Sequence, residues 1–466
     1  MTVVSPFIAE AVGDVGRPLT SLPPCEELGH LPGDRRFLAG ILNIVGLMRR
    51  GIDHVVAQRE EFGSIYRTKF GPSTVVCVCD PDVLVDVARN EHEVWSAALA
   101  WLAWLEGLDT SSQTLDMSVT LDFAPHREVR KLLQPALSPA ASAGYLAMAS
   151  PLFERAIDSW MSAGRVDFKR EIRTLLANVS SRTMLGIDDD AEGARMDRAL
   201  ADVWRAPFAL SKNRWLSPTW RKATEGHREL RETFLRLVPE RRKGEGLDLF
   251  SRICREPTDS TWLDDAAMVR VLIGTLIGAF DTTSSAMASM AYLLATHPEW
   301  QERLRAESLA VGASPGLADI KSLQATELVW KETLRLYPVS SHLPRYALRD
   351  VTLGDHVVPA GTFVWAMIGP LLQDPKWWTE PKKFDPERFS EERAEDRRHK
   401  GIFLPFGAGA HACLGMHLAT IEAKSFWQKM LAKCRLRLER PYEAHHTYTP
   451  LGVVSGDVAL VLEPLG

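Results

Sequence analysis

Residues 402–423 read I-F-L-P-F-G-A-G-A-H-A-C-L-G-M-H-L-A-T-I-E-A, and the interpretation of the chain turns on them. Cys413 is preceded by Gly407 and Gly409, followed by Gly415, and stands where a helix running to about Lys433 is expected to begin. A thiolate at a helix N-terminus is stabilised by free amides and by the helix dipole, so a depressed thiol pKa and a good metal ligand are expected here. The glycines remove side chains around the sulfur, as the approach of a planar group to the backbone would require. Three other readings compete. A lone cysteine is most often a small buried apolar residue. Gly407-x-Gly409-x-x-Ala412 is a loose dinucleotide fingerprint, but Pro405 spoils the strand that should precede it, and the roughly fifty residues that follow are too few for the βαβ units still needed. His411, Cys413 and His417 would make a zinc set with no evident fourth ligand.

Upstream, the longest expected element is a helix over about 263–296 that stops at His297-Pro298. At about 1.5 Å per residue it spans roughly 50 Å, enough to cross a domain. Gly274, Gly278 and Thr282 are four apart and share one face. Each glycine costs about 1 kcal/mol relative to Ala. Either a flat ligand on that face or close packing against another helix would compensate. A hairpin is expected over 65–70 and 74–78 around Gly71-Pro72, and Asp80-Pro81 reads as an N-cap with a first-turn proline. From there to about Pro338 the pattern is overwhelmingly helical, with strands expected again at 351–353, 357–363 and 458–462. The fold class expected is mainly α with small β-sheets: an extended lead-in over 1–35, then one domain over 36–466 without repeats or linkers.

Composition narrows the partners. The chain has 466 residues, 45% of them apolar and 25% charged, which supports a large core and argues against disorder. With 55 Lys and Arg against 60 Asp and Glu, the net charge of −5 gives nucleic acid no long-range attraction. Six scattered cysteines form no disulfide framework, so a reducing compartment is expected. The N-terminus lacks a signal-peptide pattern, and the apolar stretch at 37–48, about twelve residues, falls short of the roughly 20 a membrane helix needs. A soluble, cytoplasmic protein without a membrane span is expected.

The motif Phe406-x-x-Gly409-x-x-x-Cys413-x-Gly415 resembles the haem-binding signature of the cytochrome P-450 superfamily, with His411 where a basic residue usually stands and Leu418, Ala419 and Glu422 continuing the following helix. Three further motifs occur in the family's order. Glu332-x-x-Arg335 is similar to its E-x-x-R motif, and Pro386-Glu387-Arg388-Phe389 to its P-E-R-F motif. Gly278-Ala279-Phe280-Asp281-Thr282-Thr283 resembles A-G-x-D-T-T of its oxygen-site helix, although the first two residues are exchanged. Joint agreement of this kind is far rarer than any single match.

The resemblance implies a cytochrome P-450 fold with a long central helix crossing over haem b, and Cys413 as axial ligand of its iron. It implies a buried triad of Glu332, Arg335 and Arg388 bracing the cysteine loop, and His126, Arg130, Arg345 and His411 around the haem propionates. Ala279, Phe406, Gly407 and Gly415 complete the implied haem contacts, and Asp281 and Thr282 are implied to relay protons to iron-bound O2. The activity implied is a haem-thiolate monooxygenase that hydroxylates or epoxidises. No flavin or iron-sulfur segment is evident, so an external ferredoxin or flavodoxin with an NAD(P)H reductase is implied; the basic run at 397–400 is either part of its docking face or, as such runs more often are, merely solvated. Pocket-lining segments of similar proteins fall here at 95–105, 272–280, 339–343 and 451–454, all largely apolar. Trp95, Trp101 and Trp104 fit a pocket wall or a helix core equally well. A bulky apolar substrate such as a terpenoid, steroid or polyketide is favoured, with a fatty acid open. A haem-thiolate isomerase or peroxide-driven enzyme, and a non-enzymatic haem or zinc protein, are the other classes.

Overall fold

The structure is a computed structural model that describes residues 27–34, 36, 38–71, 73–105, 118–206, 209, 211–213, 215–279, 281–448 and 451–465, without the side chains at 102–105. Residues 1–26 of the expected lead-in, Phe280 and the Trp104 side chain therefore lie outside it.

The hairpin forms as expected. Strand Ile65–Phe70 pairs antiparallel with Ser73–Val78 across Gly71, whose φ of 58° glycine adopts freely. Asp80 then caps helix Pro81–Arg89 by accepting the amides of Asp82 and Val83 at 3.0 and 3.1 Å. Ser73–Val78 continues into a five-stranded sheet with Phe363–Met367, His342–Ala347 and Trp95–Ser96. The strand expected over 357–363 is two strands. His356–Val358 pairs with Val351–Leu353, and Phe363 onward joins the main sheet after a turn at Pro359 to Thr362. His342–Ala347 escaped sequence reading because Pro344 and Arg345 interrupt its β-forming pattern. The C-terminal strand Ala459–Pro464 lies between Arg165–Asp167 and Cys434–Leu438.

Two large apolar cores divide the helical body. One gathers helices Pro139–Ala163, Phe168–Thr183, Thr282–Thr296, Gln324–Leu336 and Met416–Lys433 around stacked Phe168 and Trp427, with ring centroids 5.5 Å apart. The other gathers Phe123–Leu133, Asp190–Trp204, Pro218–Lys243 and Asp265–Ala279. The expected single helix over 263–296 is therefore a correction. It consists of Asp265–Ala279 in one core and Thr282–Thr296 in the other, with Asp281 between them in the left-handed region at φ 62°. Apolar periodicity runs on from one segment into the next, so the sequence pattern could not show the break at Asp281. This pair of segments is also the one stretch among the described residues long and apolar enough to cross a membrane, and it runs through the core instead.

Candidate active site

At the junction of the two cores lies a cavity of about 420 Å³. Its floor is the loop around Cys413. The Cys413 amide donates to Phe406 O at 2.8 Å and the Ala412 amide to Gly409 O at 3.1 Å, closing two turns that present the sulfur to the cavity. Gly407 and Gly409 hold φ of 72° and 68°. A Cβ at Gly409 would stand 2.6 Å from Cα of Arg89, so that position requires glycine. The helix begins at Met416, just beyond Gly415.

The expected low thiol pKa is not met in the protein alone. Burial raises the Cys413 thiol, outweighing the amides of Gly415 and Met416 and the charge of Arg130, all of which lower it. A coordinated metal would reverse that balance, because a coordinating thiol is deprotonated outright.

Gly278 lines the same cavity as Cys413, and a Cβ there would have no atom within 4 Å. The open face is the cradle a flat ligand needs. Arg130, Ala279, Phe406 and Gly407 also line the cavity, as do His411 and Gly415, while His126 and Arg345 stand behind the lining. Arg130 donates to Ala412 O at 2.7 Å and so grips the loop backbone. Arg345 is 3% exposed, donates only to Pro344 O among the described residues, and is held at about 10 by burial. His126 is buried with Nε2 unpartnered, stacked on His411 at 3.9 Å. Burial, then the neighbouring charges of His411 and Arg130, press its pKa to about 3. His411 Nε2 lies 3.4 Å from Asp122 Oδ1. A buried donor without a partner costs about 1–3 kcal/mol, and a buried cation without an anion costs more. An unpartnered imidazole and an arginine without an ion-pair partner among the described residues, beside a cavity lined by an open glycine face and a thiol, fit a flat, dianionic, thiolate-ligated group such as haem. Among the described residues no three His, Cys, Asp or Glu side chains converge as a metal site, and His411 is engaged by Asp122, which leaves the zinc reading without support.

Away from the cavity lining, Arg335 grips Glu332 in a bidentate pair at 2.7 and 2.8 Å, and Arg388 Nε reaches Glu332 Oε1 at 3.1 Å, all three fully buried. Arg388 also meets Glu395 at 3.2 Å, and Glu395 binds Arg393 at 2.6 Å. Burial pushes the Glu395 carboxyl up, but hydrogen bonds from Arg393 and the Thr379 amide, with the charge of Arg388, bring it to about 2.

On the cavity lining, Arg173 Nε lies 2.7 Å from Asp281 Oδ1, and the Thr282 hydroxyl donates to Gly278 O at 3.3 Å across the helix break. Burial raises Asp281 and its neighbour Asp197 above the usual carboxylate range, against the opposing pull of Arg173. Asp122, Arg173 and Glu395 were missed by sequence reading. Asp122 had the N-cap signal, preceding helix Phe123–Leu133, but it serves another helix: it accepts from Ser96 Oγ at 2.5 Å and from Ala97 N at 3.0 Å. Arg173 and Glu395 carried no local signal. Glu422, read only as part of the motif helix, lines the cavity and is raised to about 7 by burial.

Of the segments expected to line the pocket, 339–343 contributes Val339, Ser340 and Leu343, and 272–280 contributes Gly274 to Ala279 in part. Trp95 belongs to the sheet core instead, and so do Val453 and Val454 to the helical core.

The family model described as "Cytochrome P450" matches residues 32–458. The chain is 30% identical to the putative cytochrome P450 136 of Mycobacterium tuberculosis over 97% of its own length and 88% of that relative. It is 29% identical to the cyclooctat-9-en-7-ol 5-monooxygenase of Streptomyces melanosporofaciens, covering 88% of this chain and 89% of the other. A solved structure of retinoic-acid-bound cyanobacterial CYP120A1 superposes with a TM-score of 0.83 at 20% identity, over 96% of this chain and all of that one.

Proposed function

Because the chain belongs to the cytochrome P450 family and is a haem-thiolate monooxygenase, we propose that it binds haem b through Cys413 and inserts oxygen into a bulky apolar small molecule such as a terpenoid, steroid or polyketide. When bound, the haem supplies the oxidising chemistry: given two electrons it activates O2 and delivers one oxygen atom to an organic substrate. Cys413 Sγ holds the iron, and the amides of Gly415 and Met416 with Arg130 stabilise its negative charge. His126, Arg345 and His411 receive the haem carboxylates. The carrying observation is the buried, unpartnered Nε2 of His126, with Arg345 buried and lacking an ion-pair partner among the described residues, beside a cavity lined by both Cys413 and the open face of Gly278.

On the other wall Asp281 and Thr282 handle protons. Asp281, raised by burial, takes protons from solvent, and the Thr282 hydroxyl, tethered to Gly278 O, presents them to the cavity. The wall above is apolar, with Leu133, Leu176, Met184, Leu200 and Leu276, which supports an apolar substrate, as does the relative named for cyclooctat-9-en-7-ol. Electrons arrive from a separate ferredoxin or flavodoxin with its NAD(P)H reductase. Arg398 donates to Trp377 O and His399 bonds to Asp82, which leaves exposed Arg397 and Lys400 for that docking face. Residues 36–466 act as one domain in the cytoplasm.

The test is a carbon monoxide difference spectrum of the reduced protein. The wild type gives the thiolate-type band and Cys413→Ser loses it; an unchanged band in the variant removes the site assignment. Turnover with added reductase and ferredoxin or flavodoxin, against peroxide alone, separates the electron source, and ligand-induced spin-state shifts identify the substrate class.

A further inference from the structure

Helix Ala39–Arg50 carries apolar residues on both its sides. Its buried side holds Ala39, Gly40 and Asn43, with Leu47 packed against the sheet core. Gly40 lets the backbones touch, since a Cβ there would stand 2.0 Å from Gly71 O. Asn43 is fully used: it donates to Thr68 Oγ1 at 2.7 Å and to Lys69 O at 2.8 Å, and accepts from Gln58 at 2.9 Å. The outward face carries Leu38, Ile41, Leu42, Val45 and Met48, each between 40% and 62% exposed. Positions 38, 41, 42, 45 and 48 follow helical spacing and form one stripe. A soluble surface places polar groups there, and a contiguous apolar stripe marks a contact site.

The charges beside the stripe say which contact. Arg49 and Arg50 close the helix, both exposed and neither with an ion-pair partner among the described residues. Asp53 just beyond is engaged by Lys382 at 3.3 Å. The whole chain carries −5, so no overall field draws it to an anionic surface, and any such attraction must be local to this helix end. An apolar face continuous with unpaired arginines is the pattern of a helix lying in the plane of an anionic lipid surface. We propose that helix Ala39–Arg50 rests on an anionic membrane surface, burying the stripe from Leu38 to Met48 among the acyl chains with Arg49 and Arg50 at the headgroups. The helix is too short to span, so the contact is peripheral. It goes beyond the oxygenase reading and does not depend on it.

Flotation of the full-length holoprotein with vesicles tests it, using phosphatidylcholine alone and phosphatidylcholine mixed with phosphatidylglycerol. The wild type is expected to float with the anionic vesicles and far less with the neutral ones. Arg49→Ala with Arg50→Ala lowers anionic binding by about fivefold per arginine. Ile41→Glu with Val45→Glu lowers it by about tenfold or more, since each position exchanges a buried apolar side chain for a carboxylate. The carbon monoxide spectrum of each variant verifies the fold, and should the double glutamate variant lose haem, the arginine pair and Met48→Gln carry the comparison. Equal flotation of wild type and Ile41→Glu/Val45→Glu overturns the proposal. So does absence of wild-type flotation, including the case in which light scattering shows a dimer that the glutamate pair dissociates, which would assign the stripe to a second copy.

Discussion

Two charged networks, one away from the cavity lining and one on it, are built to opposite specifications. In the first, Glu332, Arg335, Arg388 and Glu395 are at most 1% exposed, and Arg335 and Arg388 also bond to the carbonyls of Leu372, Pro381, Thr379 and Lys383. In the second, Arg173 and Asp281 meet through one short contact, with side chains 37% and 20% exposed. A buried network with its donors satisfied fixes geometry, because any rearrangement strands a charge away from water. A half-exposed pair at a helix break holds its partner weakly and leaves it able to exchange protons. The difference teaches that the first network is built to fix the chain around residues 372–395 and the second leaves a titratable group at the cavity wall.

Glu332→Ala breaks the first network at its hub. It strands the guanidinium groups of Arg335 and Arg388 inside the protein, a loss of about 3–5 kcal/mol. Thermal denaturation with the carbon monoxide band as readout should show a lower midpoint and loss of haem. A variant as stable as wild type would mean that the triad does not fix the chain around it.

Glu395→Gln probes the same network by pH. The folded carboxyl is depressed to about 2, so its contribution is complete above the unfolded value near 4.5 and is lost as pH falls toward 2. At neutral pH the variant should be less stable than wild type by about 2–3 kcal/mol, and the gap should close between about pH 4.5 and 2. A gap that stays constant with pH would place the effect in packing instead of charge.

How much of this was legible in sequence follows the same division. The proximal residues were readable because their spacing is local: Cys413 with its glycines, Glu332 with Arg335, and Pro386 to Phe389. Glu395 was not, because it enters the network through the fold, meeting Arg388 across a turn that no period announces. The central helix was readable in its length and its glycine face but not in its break, since two cores meet at Asp281 while the apolar phase continues. Asp122 was not legible either, because its partners Ser96 and Ala97 lie some 25 residues upstream. The expected low thiol pKa failed for a related reason: helix position is visible in sequence, whereas burial is not.

Thr282→Ala turns to the second network. The hydroxyl makes one bond of 3.3 Å to Gly278 O, so stability should change by less than about 1 kcal/mol and the haem spectrum should persist. Product formed per NAD(P)H should fall while peroxide rises, because the proton path has lost its last hydroxyl. Equal coupling in variant and wild type would remove Thr282 from the relay.

Arg173→Leu is the smallest perturbation and separates the two networks most sharply. The pair is partly exposed, so its loss should cost at most about 1 kcal/mol, against several for Glu332→Ala. Its effect belongs in the pH profile. Arg173 pulls the Asp281 carboxyl down against burial, so without it Asp281 rises further and stays protonated to higher pH. The acid limb of coupled turnover should therefore move up in pH, while the denaturation midpoint hardly changes. A large loss of stability with an unmoved limb would make Arg173 and Asp281 a structural pair like the triad, and the contrast between the two networks would disappear.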